Sequence, residues 1–395
     1  MIETAPATAA VTPFRIHVSD EDLEDLRRRL RATRFIAPPP GSGWSSGVPV
    51  GQLRELLDHW ERAFDWRAEE ARLNGYPHLR VIVDGLAVHA VHLRGTGARP
   101  LPLVLVHGWP SSFVEMLDLA ALLADPARAG GSPEDSFDVV VPSLPGFGFS
   151  DAPRSPRWTS ADSGRLIARL MGALGYDRFA VHAYDVGATA MTAACLSDPA
   201  RVLGYHTTEP AIPGPYPIPG RDALDPEERA YLALADAWDA DEGAYFGMLR
   251  TRPQTLGHAL NDSPAGLASW IVEKWWAWTV SPGGARTLHE AIPMDRVLSN
   301  VAIYWHTQTV NSANWLYHLG RRARLAGEQV RLPVGVALTS QPIERAPRSW
   351  AERFFPDIRR WTELGAVGHF VAVERPAVLA AAIRDFFRPL RAVAP

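Results

Sequence analysis

Cysteine is nearly missing from this chain: one of its 395 residues is Cys, at position 195, so no disulfide can close within the chain and no cysteine-based metal cluster can form. Lysine is scarce too, and no run of basic residues interleaved with aromatics points to nucleic acid as a partner. A formal net charge of −4 gives no reason to expect a polyanion, and a small neutral ligand suits it better. No apolar stretch approaches the ~18 residues that span a bilayer. Residues Met1 to Val11 are rich in Ala, Thr and Pro, carry one acid and no base, and lack the apolar centre of a signal peptide. They read as a disordered tail. The expectation is a soluble, cytoplasmic protein with no membrane partner; a homodimer is compatible with this.

What is present is enough apolar material for a large core, 47% of residues, in a length that suits a layered domain with an insertion. Residues 12–77 read as a helical extension. Within it, Ser19 caps an amphipathic helix to Leu30 with acids in its first turn, and further helices are expected at about Val50 to Phe64 and Ala68 to Asn74. Between His78 and Arg94, apolar and polar residues alternate around Asp84-Gly85, a hairpin signal. Apolar strands then follow at Leu101 to His107, Phe137 to Pro142, Arg178 to Tyr184 and Val202 to Thr208, with helices between them. This rhythm predicts an α/β fold with a mostly parallel sheet covered on both faces. The first part of that core is assigned to 78–208. The rhythm breaks at 209–323, a helical region dense in tryptophan and read as a cap over a site, and returns at 324–395 with strands near Pro333 to Thr339 and Ile358 to Glu363 and a last helix at Ala377 to Phe387.

The junction of strand and small-residue helix at Ala183-Tyr184-Asp185-Val186-Gly187 has the form of a nucleophile elbow, with a carboxylate where serine is usual. Small flanking residues let strand and helix approach at a strained turn. Asp also serves as a helix cap after a strand, so the motif needs company. A carboxylate nucleophile implies an ester on the enzyme, formed by attack at an alkyl carbon. Such an ester needs a base to activate water, and His369, in Val367-Gly368-His369-Phe370, lies past the last strand in the order nucleophile then histidine. The turn His107-Gly108-Trp109-Pro110 ends a central strand. The backbone N–H groups of Trp109 and Val186 are candidate donors to the oxyanion that appears when water attacks.

With these residues the chain resembles the epoxide hydrolases of the α/β-hydrolase superfamily, in particular the microsomal-type branch with an N-terminal helical domain. The resemblance runs from Phe14-Arg-Ile-His-Val-Ser-Asp-Glu-Asp through Tyr76-Pro-His78, the His107 turn, Leu144-Pro-Gly-Phe-Gly-Phe-Ser150 and Asn261-Asp-Ser-Pro-Ala-Gly266 to Gly368-His369-Phe370. Unlike the membrane-anchored members, it shows no N-terminal hydrophobic segment. The resemblance implies a hydrolase that opens an epoxide with water to a vicinal diol, without cofactor or metal. It also implies two cap tyrosines, at Tyr245 and Tyr317, that hydrogen-bond the epoxide oxygen. A phenol of pKa near ~10 can stabilise a basic alkoxide while un-ionised at neutral pH. The abundance of cap tryptophan suggests a bulky, apolar or aromatic epoxide.

The chain departs from the family in two places. Where relatives carry the acid that orients the histidine, alignment through Pro347-Arg348-Ser349-Trp350 puts Pro342. Two replacements remain: Glu344, two residues on, and Glu209, at the end of Val202 to Thr208, where related dehalogenases place a glutamate. Either could meet the far ring nitrogen, and Glu209 is preferred by loop analogy. Relatives often have Trp after the nucleophile, where dehalogenases use it to bind halide; Val186 argues against that chemistry. A haloalkane dehalogenase-like or other C–X hydrolase using the same aspartyl ester is the second enzyme reading. A catalytically impaired small-molecule binding protein, motivated by the displaced acid, is the third.

Overall fold

Apolar runs separated by helix-length segments become a nine-stranded sheet in the computed structural model, which describes residues 10–211, 220, 223–279, 288–320 and 328–393. The strands are β1 (Val11–Pro13), β2 (His78–Val83), β3 (Leu86–Leu93), β4 (Leu101–Val106), β5 (Phe137–Pro142), β6 (Phe179–Ala183), β7 (Val202–Thr207), β8 (Val334–Leu338) and β9 (Ile358–Glu363). Their spatial order is β1-β2-β3-β5-β4-β6-β7-β8-β9. From β5 to β9 all neighbours are parallel, while β1, β2 and β3 join antiparallel. This is the mostly parallel α/β sheet expected from the rhythm of the chain, and the α/β-hydrolase fold that the resemblance implies.

The central strands β5, β6, β7 and β8 are buried at every position. Continuous apolar runs of this kind fit strands covered on both faces, and each Val or Leu so buried contributes roughly 1.5–3 kcal/mol. The β2–β3 turn forms at Asp84-Gly85, both with positive φ, 51° and 77°. Helix Ser160–Ala173 starts in a reciprocal capping box between Thr159 and Asp162. Helix Asp20–Arg31 starts at the Ser19 cap and buries Leu23, Leu26 and Leu30.

Two local expectations shift. Residues 1–9 of the stretch read as a tail lie outside the described residues, but its last residue, Val11, belongs to β1, and Val11–Pro13 pairs with Leu79–Val81. The segment before the core is therefore not purely helical; a three-residue strand is too short to show a period. The third helix of this segment begins at Trp66 rather than Ala68, because the Asp65 side chain accepts from the N–H groups of Arg67 and Ala68 and starts the turn earlier.

Between β7 and β8 the described residues form six α-helices, Pro226–Asp241, Ala244–Thr251, Pro253–Asp262, Pro264–Trp278, Met294–Thr307 and Val310–Gly320, and a 3-10 turn at Leu288–Glu290. The N-terminal segment ties onto them. Trp44 stacks on Trp276 with ring centroids 4.3 Å apart, and Arg29 Nη1 donates to the Asp262 carbonyl at 2.7 Å. The loops after β4, β6, β7, β8 and β9 all emerge at the carboxyl ends of parallel strands, where open α/β sheets bind ligands. No described helix is long and apolar enough to cross a membrane.

Candidate active site

Asp185 sits at the first position of helix Asp185–Ser197 with φ +52°, and the N-cap position belongs to Tyr184, which makes no side-chain cap bond. Asp185 is thus not a capping residue. A non-glycine in the left-handed region costs of order 1–3 kcal/mol and persists only where surroundings enforce it. Gly187 is one such enforcement: a Cβ there would stand 2.6 Å from the His107 carbonyl oxygen, so the helix can start this close to β4 only with glycine. The elbow projects the Asp185 carboxyl toward the turn after β4, where the Trp109 N–H donates to Oδ1 at 2.6 Å. The Val186 N–H also supports the carboxylate. Both expected oxyanion donors therefore aim at the same side chain. Burial raises the Asp185 pKa, against the pull of His369 and these two N–H groups.

His369 is buried and has no hydrogen-bond partner at Nε2 among the described residues, while its Nδ1 meets Glu344 Oε1 in a short hydrogen bond. Glu209 Oε1 stands 3.5 Å from the same nitrogen. This reverses the preference for Glu209 over Glu344. Pro342 opens a single 3-10 turn, Pro342–Glu344, that carries Glu344 inward, and Thr339 Oγ1 donates to its other oxygen. The proline that displaces the family's acid thus starts the turn that brings Glu344 to the ring. Glu209 completes a buried pair of acids; burial, then the nearby Glu344, pushes its pKa well up. Burial alone would keep His369 neutral, but the carboxylates of Glu344, Glu209 and Asp185 override it and lift the ring to about 10. Ligand atoms of Asp185, Glu209 and His369 lie within 4.8 Å of one another, close enough to bridge a divalent cation as well.

The cap supplies the facing wall. Tyr245 stacks parallel to the Trp109 indole at 5.1 Å, and Tyr317 meets the same indole edge-on at 5.5 Å. The Tyr317 hydroxyl is buried without a hydrogen-bond partner among the described residues. Burial, and next the Asp185 charge, raise both phenols well above their ordinary value, which keeps them protonated. Asp185, Glu209, Tyr245, Tyr317, Glu344 and His369 line one cavity of about 330 Å³. A larger crevice of about 510 Å³ between the N-terminal helix and the cap, lined by Asp22, Arg29, Gln254 and Asp262, holds none of these groups.

Tryptophan is only partly turned to the cavity. Trp238 and Trp278 line it, whereas Trp275 packs on Phe370 and Trp276 on Trp44. Aromatic density alone could not separate lining from packing. Sequence reading also missed the groups that hold the turn after β4. Asn300 Nδ2 donates to the Pro110 carbonyl at 2.8 Å, Tyr304 Oη to the Ser111 carbonyl at 2.7 Å, and Trp109 Nε1 to Asn314 Oδ1 at 3.1 Å. These partners lie some two hundred residues away along the chain, and no local pattern marks them. Beneath the elbow, Tyr184 Oη donates to the buried Glu115, whose pKa burial pushes up to about 7.

The family described as "Epoxide hydrolase N terminus" matches residues 11–116, and that described as "alpha/beta hydrolase fold" matches residues 102–247. A protein of Stigmatella aurantiaca, named provisionally as an epoxide hydrolase, is 42% identical over 382 residues, covering 97% of this chain and 86% of that protein. Epoxide hydrolase 1 of Sus scrofa is 31% identical over 416 residues, covering 96% and 90%. The crystal structure of juvenile hormone epoxide hydrolase from Bombyx mori superposes with a TM-score of 0.88 at 26% identity, covering 98% of this chain and 96% of that one. The Aspergillus niger epoxide hydrolase gives a TM-score of 0.83 at 28% identity, covering 97% of each. The chain belongs to the epoxide hydrolase family of the α/β-hydrolase fold, and it is a hydrolase acting on epoxides.

Proposed function

We propose that this enzyme opens a bulky apolar or aromatic epoxide to a vicinal diol through an ester on Asp185. One observation carries the reading: the carboxyl at the elbow receives the Trp109 N–H at 2.6 Å and shares its cavity with His369, Tyr245 and Tyr317. In the first step an Asp185 oxygen attacks an epoxide carbon, the C–O bond of the ring breaks, and its oxygen takes a proton from Tyr245 or Tyr317. In the second, His369 Nε2 takes a proton from water as the water attacks the ester carbonyl. The oxyanion forms where the N–H groups of Trp109 and Val186 can receive it. Collapse expels the diol oxygen, which takes the remaining proton of the attacking water, leaves a water oxygen on the Asp185 carboxylate, and the proton held by His369 returns to the phenolate. Glu344 orients the ring and stabilises its cation, with Glu209 behind it. Because the ring nitrogen has a carboxyl partner, the motive for an impaired binding protein falls away. Trp238, Phe246 and Trp278 on the cavity wall support an apolar substrate.

The test is a single turnover of an aryl epoxide in heavy-oxygen water, with enzyme in excess. The diol is expected to carry an unlabelled oxygen from the protein, and the peptide holding Asp185 to gain one heavy oxygen. Label appearing in the first-turnover diol would sink the ester pathway.

A further inference from the structure

Lys274 is the single lysine of the chain, and only 6% of it is exposed. In a protein that uses arginine for every other permanent side-chain cation, one lysine inside the cap calls for a local reason. Its ammonium lies over the Tyr245 ring, 4.9 Å from the centroid, and 5.8 Å from that of Trp278. Two carboxylates fix it there, Glu242 at 2.7 Å and Glu273 at 2.9 Å. An ammonium is compact enough to sit between two acids and an aromatic face, where a planar guanidinium would demand more room.

Tyr245 otherwise stands in a negative field. After burial, the groups that oppose ionisation of its hydroxyl are Asp185, Glu209, Glu242 and Asp239. Trp109, Phe246, Trp278 and Tyr317 pack against its ring, and His369 and Arg250 line the same cavity. Among the described residues no cation lies over the Tyr317 ring, so the two phenols are not equivalent. A cation over an aromatic face is attracted to the ring's electrons, and more strongly as charge gathers on the ring.

We propose that Lys274 is a positioning residue that acts through Tyr245: held by Glu242 and Glu273, its ammonium stabilises the charge that builds on the phenol while the proton passes to the epoxide oxygen, making Tyr245 the stronger of the two donors. The proposal rests on the ring-opening role given to Tyr245 above. The step balances without another reactant: the Asp185–carbon bond forms, the ring C–O bond breaks, and the phenolic proton ends on the alkoxide oxygen. The influence of Lys274 belongs to ester formation, because the phenol transfers its proton in that step.

The experiment measures ester formation and ester hydrolysis separately, by rapid quench and mass analysis of the Asp185 peptide, for Lys274→Met and Lys274→Arg. Lys274→Met is expected to slow ester formation about tenfold, to leave ester hydrolysis unchanged, and to have no further effect when added to Tyr245→Phe. Lys274→Arg, which keeps the charge on a bulkier head, should recover part of the rate. Lys274→Met combined with Glu273→Gln gives the same readout with one fewer unpaired acid, should the single variant fold poorly. Ester formation at the wild-type rate in the Met variants, or a full additional loss on top of Tyr245→Phe, overturns the role of Lys274. A wild-type enzyme that forms no Asp185 adduct overturns the ring-opening reading itself, so the two failures are distinct.

Discussion

A Cβ on Gly108 would stand 2.5 Å from the Cβ of Asp185 and 2.8 Å from its Oδ1, so the turn after β4 can come this close to the elbow only with a bare backbone at that position. That closeness brings the following N–H, of Trp109, onto the carboxylate. Gly108→Ala must therefore displace the carboxyl, the N–H, or both. We expect kcat/KM to fall by roughly 100-fold, the scale of an ångström-sized misplacement, in a protein that still unfolds cooperatively on heating. Activity within threefold of wild type would show that the contact does not matter.

His369→Gln removes the group proposed to activate water but leaves Asp185 and both phenols. Ring opening should continue while hydrolysis falls by about 10³-fold, within the range of general-base contributions. The ester should then accumulate to one equivalent, visible as a mass increase equal to that of the epoxide. Loss of adduct together with turnover would place His369 in the first step instead.

The two acids beside His369 are expected to differ. Glu344 makes the hydrogen bond to Nδ1 and Glu209 stands at 3.5 Å. Glu344→Gln should cost on the order of 10³- to 10⁴-fold in kcat by favouring the wrong tautomer. Glu209→Gln, which leaves the Glu344 hydrogen bond to the ring in place, should cost far less. Steady-state kinetics of the two variants decide the order, and a reversed order would restore Glu209 as the orienting acid.

The pH dependence follows from the ring held at about 10, where burial opposes the cation but three carboxylates prevail. A base must be neutral to accept a proton, so ester hydrolysis should rise with pH toward the ionisation of the ring in the ester, which lies below that of the free enzyme. Ring opening uses ionised Asp185 and protonated phenols, and should stay level over the same range. In the proposed mechanism ester formation neutralises Asp185 and removes one of the charges that favour the imidazolium, so the ring becomes a better-prepared base when water is needed. Asp185→Asn imitates that state and should lower the His369 pKa in an NMR titration; an unchanged value would falsify the coupling.

Stability of the cap should depend on Arg353, whose Nε and Nη2 each donate to the fully buried Glu228 at 2.7 Å. Glu228 lies in the first turn of helix Pro226–Asp241, so the pair ties the cap to the segment after β8. With about a third of the Arg353 side chain exposed, Arg353→Met should cost roughly 2–3 kcal/mol by stranding the carboxylate. Thermal unfolding measures it, and an unchanged Tm would mean that solvent relieves Glu228.

Much was legible in the chain because it is local. Period and length marked β4 to β9; small residues around Asp185 marked the elbow; position after the last strand marked His369. Each signal depends on neighbours within a few residues, which the backbone geometry of a strand, turn or helix start makes readable. The orienting acid was not readable in this way, since choosing between Glu209 and Glu344 required knowing how a 3-10 turn from Pro342 rotates a side chain relative to a ring on another loop.

The sequence by itself determined that a carboxylate occupies a strained bend between β6 and a small-residue helix, with a histidine after β9, because sterics within a short segment allow little else. Tertiary structure alone decided which glutamate meets that histidine, that Asn300, Asn314 and Tyr304 brace the turn carrying the Trp109 N–H, and that the lone lysine rests on Tyr245. Those relations join residues far apart in the chain, and only the packing of cap against core sets their distances and orientations.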